Sequence, residues 1–461
     1  MKPLTYLFLI LTACTASPSE EPISPSATVI TDVGVVDVRS GQVVKGQYVV
    51  VDSGKIVQLL DTIDVFPSEA TVIDGSGKFL MPGLAEMHAH IPSPEQGQAY
   101  LENTLFLYLA NGVTTIRGML GHPRHLELRE QAAANQLLSP RIFTSSPSLN
   151  GNTVQTVEEA RSKVTTYQQD GYDFLKLHPG IQLAVFDEIA KTANEVGIPF
   201  AGHVPVDVGI RHALESEYAS VDHVDGFLEG LVPSSAGVAP DENGFFGYNF
   251  TKLADTTAID ELVQMTKEHG VWVVPTQSLF DRWFSPEDAE QLAQAPEMKY
   301  IPKAMLDEWI NSKQSLVGED SYDSAQWAQF NDIRNQLMLR LHKNGQGLLL
   351  GSDAPQVFNV PGFSIHHELQ AMLRAGLTPL EALQIGTLHP ARFFNQEGEI
   401  GEVVEGAGAD LILLDVSPLE DLEALKNPAG VMVRGQWLSR QAIDTRLAAI
   451  AKENQQSGEV E

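Results

Sequence analysis

Two histidines separated by one residue, His88 and His90, are the first side chains that point to metal chemistry. They end a short apolar run, and because side chains alternate along a strand, both imidazoles would face the same side and could bind one ion. This spacing is a weak signal alone. It gains weight because four more polar residues lie within or at the end of separate apolar runs: Lys176, His203, His223 and Asp353. Together they predict one metal site.

Lys176 is unusual among these residues because it lies inside the apolar run Phe174-Leu175-Lys176-Leu177. A buried lysine needs a partner or must lose its charge. The side chain is therefore predicted to take part in the site.

The elements that position these residues alternate along the chain. Short apolar runs, separated by helix-like stretches, lie at 83–87, 113–118, 141–146, 173–177, 198–202, 219–224, 270–275 and 347–351. Thr156 with Glu159 and Thr378 with Glu381 predict helix-opening capping boxes. Eight strands alternating with helices predict an α/β fold of the (β/α)8 TIM-barrel type, whose chemistry lies at the C-terminal strand ends. A doubly wound sheet is the alternative, but no GxGxxG follows the first run.

Short β runs with turn signals occupy 28–82 and return at 395–440, so a small β-sandwich built from both chain ends is expected beside a barrel at 83–394. A C-terminal helix and tail would follow at 441–461. Two connections, 226–256 and 278–323, are too long for simple loops. They predict either a lid or substrate wall above the site, or peripheral helices on the barrel rim.

The chain resembles the amidohydrolase superfamily, and specifically its two-metal members, in four stretches and at the residues above. These stretches are 74–84, 112–115, 375–383 and 406–415. Within the superfamily it most resembles the imidazolonepropionase-like and Xaa-Pro dipeptidase (prolidase) branch. One-metal members of that branch carry a glutamate where this chain has Val206 and lack the bridging lysine, so Lys176 and Val206 both favour a two-metal hydrolase.

The resemblance implies a ligand set and a mechanism. His88, His90 and Asp353 would hold one divalent ion, and His203 and His223 a second. Lys176, carboxylated by carbon dioxide, would bridge them. Zinc is the expected metal, with manganese, cobalt and iron as alternatives. A metal-bridging hydroxide would attack the substrate, and Asp353 would move the proton to the leaving nitrogen.

The implied reaction is hydrolysis of an amide C–N bond, with a prolidase-type dipeptidase as the leading interpretation. Lactones, carbamates, cyclic amides and N-acyl amino acids are alternative substrates for the same machinery. A non-catalytic ligand-binding lipoprotein is the alternative from another class. Arg117, His178 and Tyr248 are candidate substrate contacts, each with a structural role as its alternative.

Composition limits the partners, since 60 acidic against 30 basic residues give a formal charge of −30. That field repels nucleic acid, so a small-molecule or dipeptide substrate is expected instead. Oligomeric state cannot be inferred.

The first residues resemble a lipoprotein signal, with an apolar run from Leu4 to Leu11 and the single cysteine, Cys14, directly after Thr12-Ala13. The expectation is a signal at 1–14 with lipidation of Cys14 and a flexible tether at 15–27. The protein would then be anchored in the bacterial envelope, facing the periplasm from the outer membrane. An ordinary signal peptide with a chance cysteine is the alternative.

Overall fold

The computed structural model describes residues 23–64, 66 and 68–457. The strands in this part of the chain are β1 (Thr28–Asp37), β2 (Gln42–Asp52), β3 (Lys55–Leu60), β4 (Thr71–Asp74), β5 (Phe79–Pro82), β6 (Leu84–Ala89), β7 (Val113–Gly118), β8 (Arg141–Thr144), β9 (Leu175–Leu177), β10 (Phe200–Gly202), β11 (Ser220–Asp222), β12 (Trp272–Val274), β13 (Leu411–Leu414), β14 (Gly430–Val433) and β15 (Gln436–Ser439).

The α-helices of the described residues are α1 (Gln98–Ala110), α2 (Pro123–Ala133), α3 (Val157–Asp170), α4 (Leu183–Val196), α5 (Gly209–Glu215), α6 (Phe227–Gly230), α7 (Ile259–Glu268), α8 (Gln277–Leu279), α9 (Ala289–Leu292), α10 (Lys303–Val317), α11 (Ser324–Asn344), α12 (Phe363–Arg374), α13 (Pro379–Gly386), α14 (Leu388–Phe393) and α15 (Arg440–Ser457). Shorter 3-10 helices lie at Pro94–Gln96, Ser234–Ala236, Pro240–Glu242, Phe245–Leu253, Thr256–Ala258, Pro296–Tyr300 and Leu422–Lys426, and a π-helical turn lies at Phe280–Phe284.

Strands from the N-terminal and C-terminal parts of the described chain form one sheet. Its order is β15-β14-β13-β5-β1-β2-β3, with β4 added beside β1. The junction is the antiparallel pair of β5 with β13, in which Leu80 faces Leu413. Pairing of the two ends therefore occurs, but all eight strands belong to a single sheet, and the predicted two-layer sandwich is not confirmed.

The central region is a TIM-barrel-like α/β fold. Parallel strands β6-β7-β8 form one sheet and β9-β10-β11-β12 another. Isolated bridges join neighbouring segments, at Ser145 with Phe174 and at Ala89 with Ala354. The strand predicted at 347–351 is wrong as a regular strand. That segment makes one bridge to β12 through Leu348, and its Leu350 carbonyl accepts a 2.7 Å hydrogen bond from the Met87 amide of β6.

Both predicted capping boxes are confirmed. The hydroxyl of Thr156 accepts from the Glu159 amide at 3.1 Å at the start of α3, and Thr378 does the same for Glu381 at the start of α13. Each box satisfies backbone amides that have no partner within the helix. These local signals depend on four consecutive residues, so the sequence suffices to predict them.

The two long connections fold into short helices that contain buried aromatic residues. The 226–256 connection contains α6 and three of the 3-10 helices, and the 278–323 connection contains the π-helical turn, α9, one 3-10 helix and α10. No helix in the described part of the chain is both long and apolar enough to span a bilayer. Cys14 and the predicted signal lie outside the described residues, so lipidation stays a prediction.

Candidate active site

The six predicted ligands come together at the C-terminal ends of the barrel strands. His88 lies on β6 and Lys176 on β9, while His203 and His223 directly follow β10 and β11. The ring centroids of His88 and His223 are 4.5 Å apart, and those of His203 and His223 are 4.6 Å apart. Residues separated by more than 260 positions therefore share one small polar centre.

His88, His90 and Asp353 form one half of this centre. The Oδ1 atom of Asp353 lies 2.6 Å from His90 Nε2 and 3.3 Å from His88 Nε2. Burial lowers the pKa of His88 to about 4, against the opposing effect of Asp222. A neutral imidazole offers a lone pair to a cation, so the three side chains could hold a metal ion.

His203 and His223 form the other half, and a hydrogen bond at Nδ1 orients each imidazole ring. His203 Nδ1 lies 3.1 Å from the Asp225 carboxylate, and His223 Nδ1 lies 2.8 Å from the Thr276 hydroxyl. A hydrogen bond at one ring nitrogen leaves the other free for an ion, which is the usual arrangement around metal-binding histidines.

Asp222 is a central residue that sequence reasoning missed. Its Oδ2 accepts a 2.9 Å hydrogen bond from Lys176 Nζ and lies 3.2 Å from His88 Nδ1, and the residue is fully buried. Burial alone would raise the pKa of Asp222, but the Lys176 ammonium, followed by the contact with the His88 ring, holds that pKa well below its ordinary value. The signal was present, because a buried lysine requires a partner and Asp222 directly precedes a predicted ligand.

Several residues of the site have left-handed backbone conformations. The φ angles are +63° at His223, +65° at Asp353, +46° at Thr276 and +49° at Phe246. Such values are rare for residues other than glycine and cluster at functional sites. At His223 and Thr276 they turn the chain just beyond the ends of β11 and β12.

A cavity of about 510 Å³ opens above the polar centre. One side of it is an apolar wall formed by Phe245 and Phe246 of the 226–256 connection with Leu279 and Trp283 of the 278–323 connection. Both long connections therefore contribute to the site, as the substrate-wall interpretation predicts. Their other aromatic residues include Trp309 and Tyr300, which are buried in a separate core cluster with Phe358.

A match to a family model extends over residues 79–438, and its description is "Amidohydrolase family". The chain belongs to the amidohydrolase family. The match includes all six predicted ligands, and amidohydrolases typically bind metal. Two groups of three residues in this amidohydrolase, His88 with His90 and Asp353 and His88 with Asp222 and His223, are suited to that role because the donor atoms of each group lie within 4.8 Å of one another.

The individual proteins to which this amidohydrolase is similar have names that describe different activities. Ochratoxinase from Aspergillus niger is 28% identical over 266 residues, a region covering 57% of this chain and 41% of the ochratoxinase. The solved bottromycin amidohydrolase superposes with a TM-score of 0.72 at 21% identity, covering 93% of this chain and 90% of that one. A Xaa-Pro dipeptidase with bound methionine gives 0.62 at 20% identity, covering 90% and 100%. These structural matches support the fold.

His178 is the one predicted substrate contact that lines the cavity of this amidohydrolase. Its Nδ1 lies 2.8 Å from the Ser148 hydroxyl, and its ring stacks 5.1 Å from His203. Burial, with Lys176 and His203 nearby, lowers the pKa of His178 to about 2.

Arg117 and Tyr248 lie outside the cavity lining, which corrects both predictions. Arg117 is fully buried and donates to the Met87 carbonyl at 2.7 Å, to Ser220 at 2.9 Å and to Asp222 at 3.2 Å. The Tyr248 hydroxyl donates to the Asp323 carbonyl at 2.8 Å. Both polar groups are bound within the protein, so neither faces a substrate.

Proposed function

We propose that this chain is a metal-dependent hydrolase that cleaves an amide C–N bond with two divalent ions. The observation that carries the proposal is the convergence of His88, His90 and Asp353 with His203 and His223 at one end of a barrel-like fold. Membership of the amidohydrolase family supports the reaction class.

The side chains fit two ions with Lys176 between them. His88, His90 and Asp353 would hold one ion, His203 and His223 the other, and a carboxylated Lys176 would contact both. A carboxylated lysine keeps one N–H on Nζ, so its 2.9 Å hydrogen bond to Asp222 is compatible with the modification. Its two oxygens are hard anionic ligands of the kind that divalent cations favour.

The bound ions would lower the pKa of water and polarise the substrate carbonyl. In this proposal Asp353 moves the proton. Burial would raise its pKa, but His88 and His90 hold the pKa of Asp353 below its ordinary value. The side chain is therefore an ionised carboxylate that can accept a proton from water and deliver it to the leaving nitrogen.

Dipeptides are the first substrate class to test, because prolidases are among the structures similar to this chain. Carbamates, lactones, cyclic amides and N-acyl amino acids remain alternatives for the same groups. A non-catalytic ligand-binding protein is disfavoured, since it would have no need for a buried lysine beside four histidines.

Metal analysis of the full chain, purified without chelator, tests the proposal. We expect about two divalent ions per chain and metal-dependent release of amines from an amide panel, both lost in His88→Ala. His269→Ala is the matched control, because His269 ends α7 away from the cavity lining. A folded, metal-free wild type with no amidase activity after metal loading would contradict the proposal.

A further inference from the structure

The lining of the cavity contains acidic side chains but no lysine or arginine among the described residues. Among the described residues that line it, the charged side chains are the carboxylates Asp225 and Asp353, and none is a lysine or arginine. The remaining polar lining consists of histidines together with Asn243 and Gln356. The ions that the proposed function requires would therefore be the source of positive charge beside this lining, because its described residues include no lysine or arginine.

A substrate with a free carboxylate next to its scissile amide would need such a charge. In a dipeptide the carboxylate is one carbon away from the scissile nitrogen, and the ions of the proposed function would be needed at the carbonyl and the attacking water. A carboxylate that leaves water for a partly enclosed site without a partner costs several kcal/mol. Arg117, the arginine predicted for this task, is committed to Asp222 and the Met87 carbonyl. The formal charge of −30 adds long-range repulsion.

A second cavity of about 530 Å³ adjoins the first and shares Val204, Val206 and Asn243 with it. This side cavity is mainly apolar. Its one arginine, Arg211, makes a 2.6 Å ion pair with Glu261, and Glu229 also lines it. The side cavity therefore adds room for an uncharged group and no unpaired arginine for an anion.

The apolar wall is built with local strain. Phe246 has φ +49° and ψ +44°, a left-handed conformation that is unfavourable for a residue with a side chain. It places the phenyl ring 5.8 Å from the His203 ring and 5.5 Å from the His223 ring. Phe245 packs edge-on against Trp283 at 5.3 Å, which joins the two long connections. An apolar or aromatic group of a substrate would bury substantial area here.

Resting on the hydrolase function proposed above, we propose that the preferred substrate is uncharged beside its scissile amide. It lacks a free carboxylate there and presents an apolar or aromatic group to the wall of Phe245, Phe246, Leu279 and Trp283. This excludes unblocked dipeptides, including those ending in proline, as preferred substrates and favours their amides, aryl amides and carbamates.

Paired substrates that differ only in this charge test the proposal. The metal-loaded full chain is given Leu-Phe and Leu-Phe-amide, then Leu-Pro and Leu-Pro-amide, and release of leucine is followed by chromatography. We expect kcat/KM to be at least about tenfold higher for the amide of each pair, because one unpaired charge is removed. Equal or faster cleavage of the free acids would overturn this inference and leave the hydrolase function standing. No cleavage of any pair would count against the hydrolase function itself.

A substitution at Val206 tests the same idea from the protein side. Val206 lines both cavities and is 38% exposed, so a longer side chain can be placed there without repacking the core. In Val206→Arg we expect the preference for the amide to fall by about tenfold through a charge-assisted hydrogen bond to the free carboxylate. Val206→Gln, of similar length without the charge, should keep the wild-type ratio. An identical ratio in both variants would contradict the proposal.

Discussion

Lys176 and Lys313 are both fully buried, yet the groups around their ammonium nitrogens differ. Lys313 Nζ donates to the Arg282 carbonyl at 2.8 Å and to the Ser285 carbonyl at 2.7 Å, with further oxygens of Trp283 and Ser285 within 3.4 Å. Lys176 Nζ has one hydrogen-bond partner among the described residues, the Asp222 carboxylate. Lys313 therefore stabilises the π-helical turn that contains Trp283 by binding its carbonyl oxygens. Lys176 lies among groups that can hold ions.

The difference shows how surroundings decide what a buried lysine does. Neutral carbonyls satisfy the Lys313 ammonium without changing its chemistry. Asp222 is shared between Lys176 and Arg117, so one buried carboxylate is the counter-charge of two cations. Carboxylation of Lys176 would replace one of these cations with an anionic group that can hold ions. Equivalent substitutions at the two lysines should therefore have different consequences.

Lys176→Met should have the largest effect. Because the variant cannot be carboxylated and loses the proposed ligand between the ions, we expect kcat/KM to fall by about a thousandfold. Metal content should fall well below two ions per chain, as measured by elemental analysis. Lys313→Met is the matched control and should keep both ions. Full metal content and activity in Lys176→Met would contradict the bridging role.

Asp222→Asn should strongly destabilise the fold, because Lys176 and Arg117 would lose their shared buried counter-charge. We expect the free energy of unfolding, measured by denaturant titration, to fall by about 3–5 kcal/mol. Ser220→Ala removes a 2.9 Å hydrogen bond from Arg117 and a long 3.5 Å hydrogen bond to Asp222 but leaves the carboxylate in place, so it should cost about 1 kcal/mol. Equal losses in the two variants would show that the shared carboxylate is not the important partner.

Lys313→Met should destabilise by about 2–3 kcal/mol, because the carbonyls of Arg282 and Ser285 would be left buried without a donor. Metal content should not change. A stability equal to the wild type would mean that another group takes over these carbonyls.

The same variant should change the pH dependence of stability. Burial lowers the pKa of Lys313 to about 8 from an ordinary 10.5, against the opposing effect of Glu287 and Asp288. Between these two values the unfolded chain binds more protons at this side chain, so its contribution to the free energy of unfolding rises with pH. We expect the stability difference between wild type and Lys313→Met to widen above pH 8. Parallel curves would contradict this expectation.

Tyr248→Phe should have the smallest effect. The hydroxyl donates to the carbonyl of Asp323 and accepts from its amide at 2.9 Å, so its loss should cost about 1 kcal/mol of unfolding free energy. Because Tyr248 does not line the cavity, kcat/KM should stay within about twofold of the wild type. A large rise in KM would restore the substrate role predicted from the sequence.

The barrel strands and the six predicted ligands could be predicted because each depends on a local pattern. A polar residue that ends an apolar run is visible in the sequence, and parallel strands bring such ends together. The segment at 347–351 shows the limit of this reasoning. It has the composition of a strand but makes only scattered backbone contacts with β12 and β6.

Pairings between distant residues could not be predicted. Arg117 meets Asp222 across 105 positions, and nothing in either local sequence says that the guanidinium faces a carboxylate instead of a substrate. The predicted sandwich is not confirmed for a similar reason, because the strand pattern does not show whether strands from the two ends of the chain form one sheet or two packed layers. The apolar wall likewise depends on contacts between two separate connections.

The backbone conformation and the side-chain contact of Thr276 favour different residues at this position. Its left-handed backbone would suit glycine, and the exchange would relieve about 1–2 kcal/mol of strain. Its hydroxyl, however, is what orients the His223 ring. Glycine at 276 would therefore keep the turn but leave the His223 ring without this hydrogen bond, so threonine is expected wherever the orientation of that ring matters.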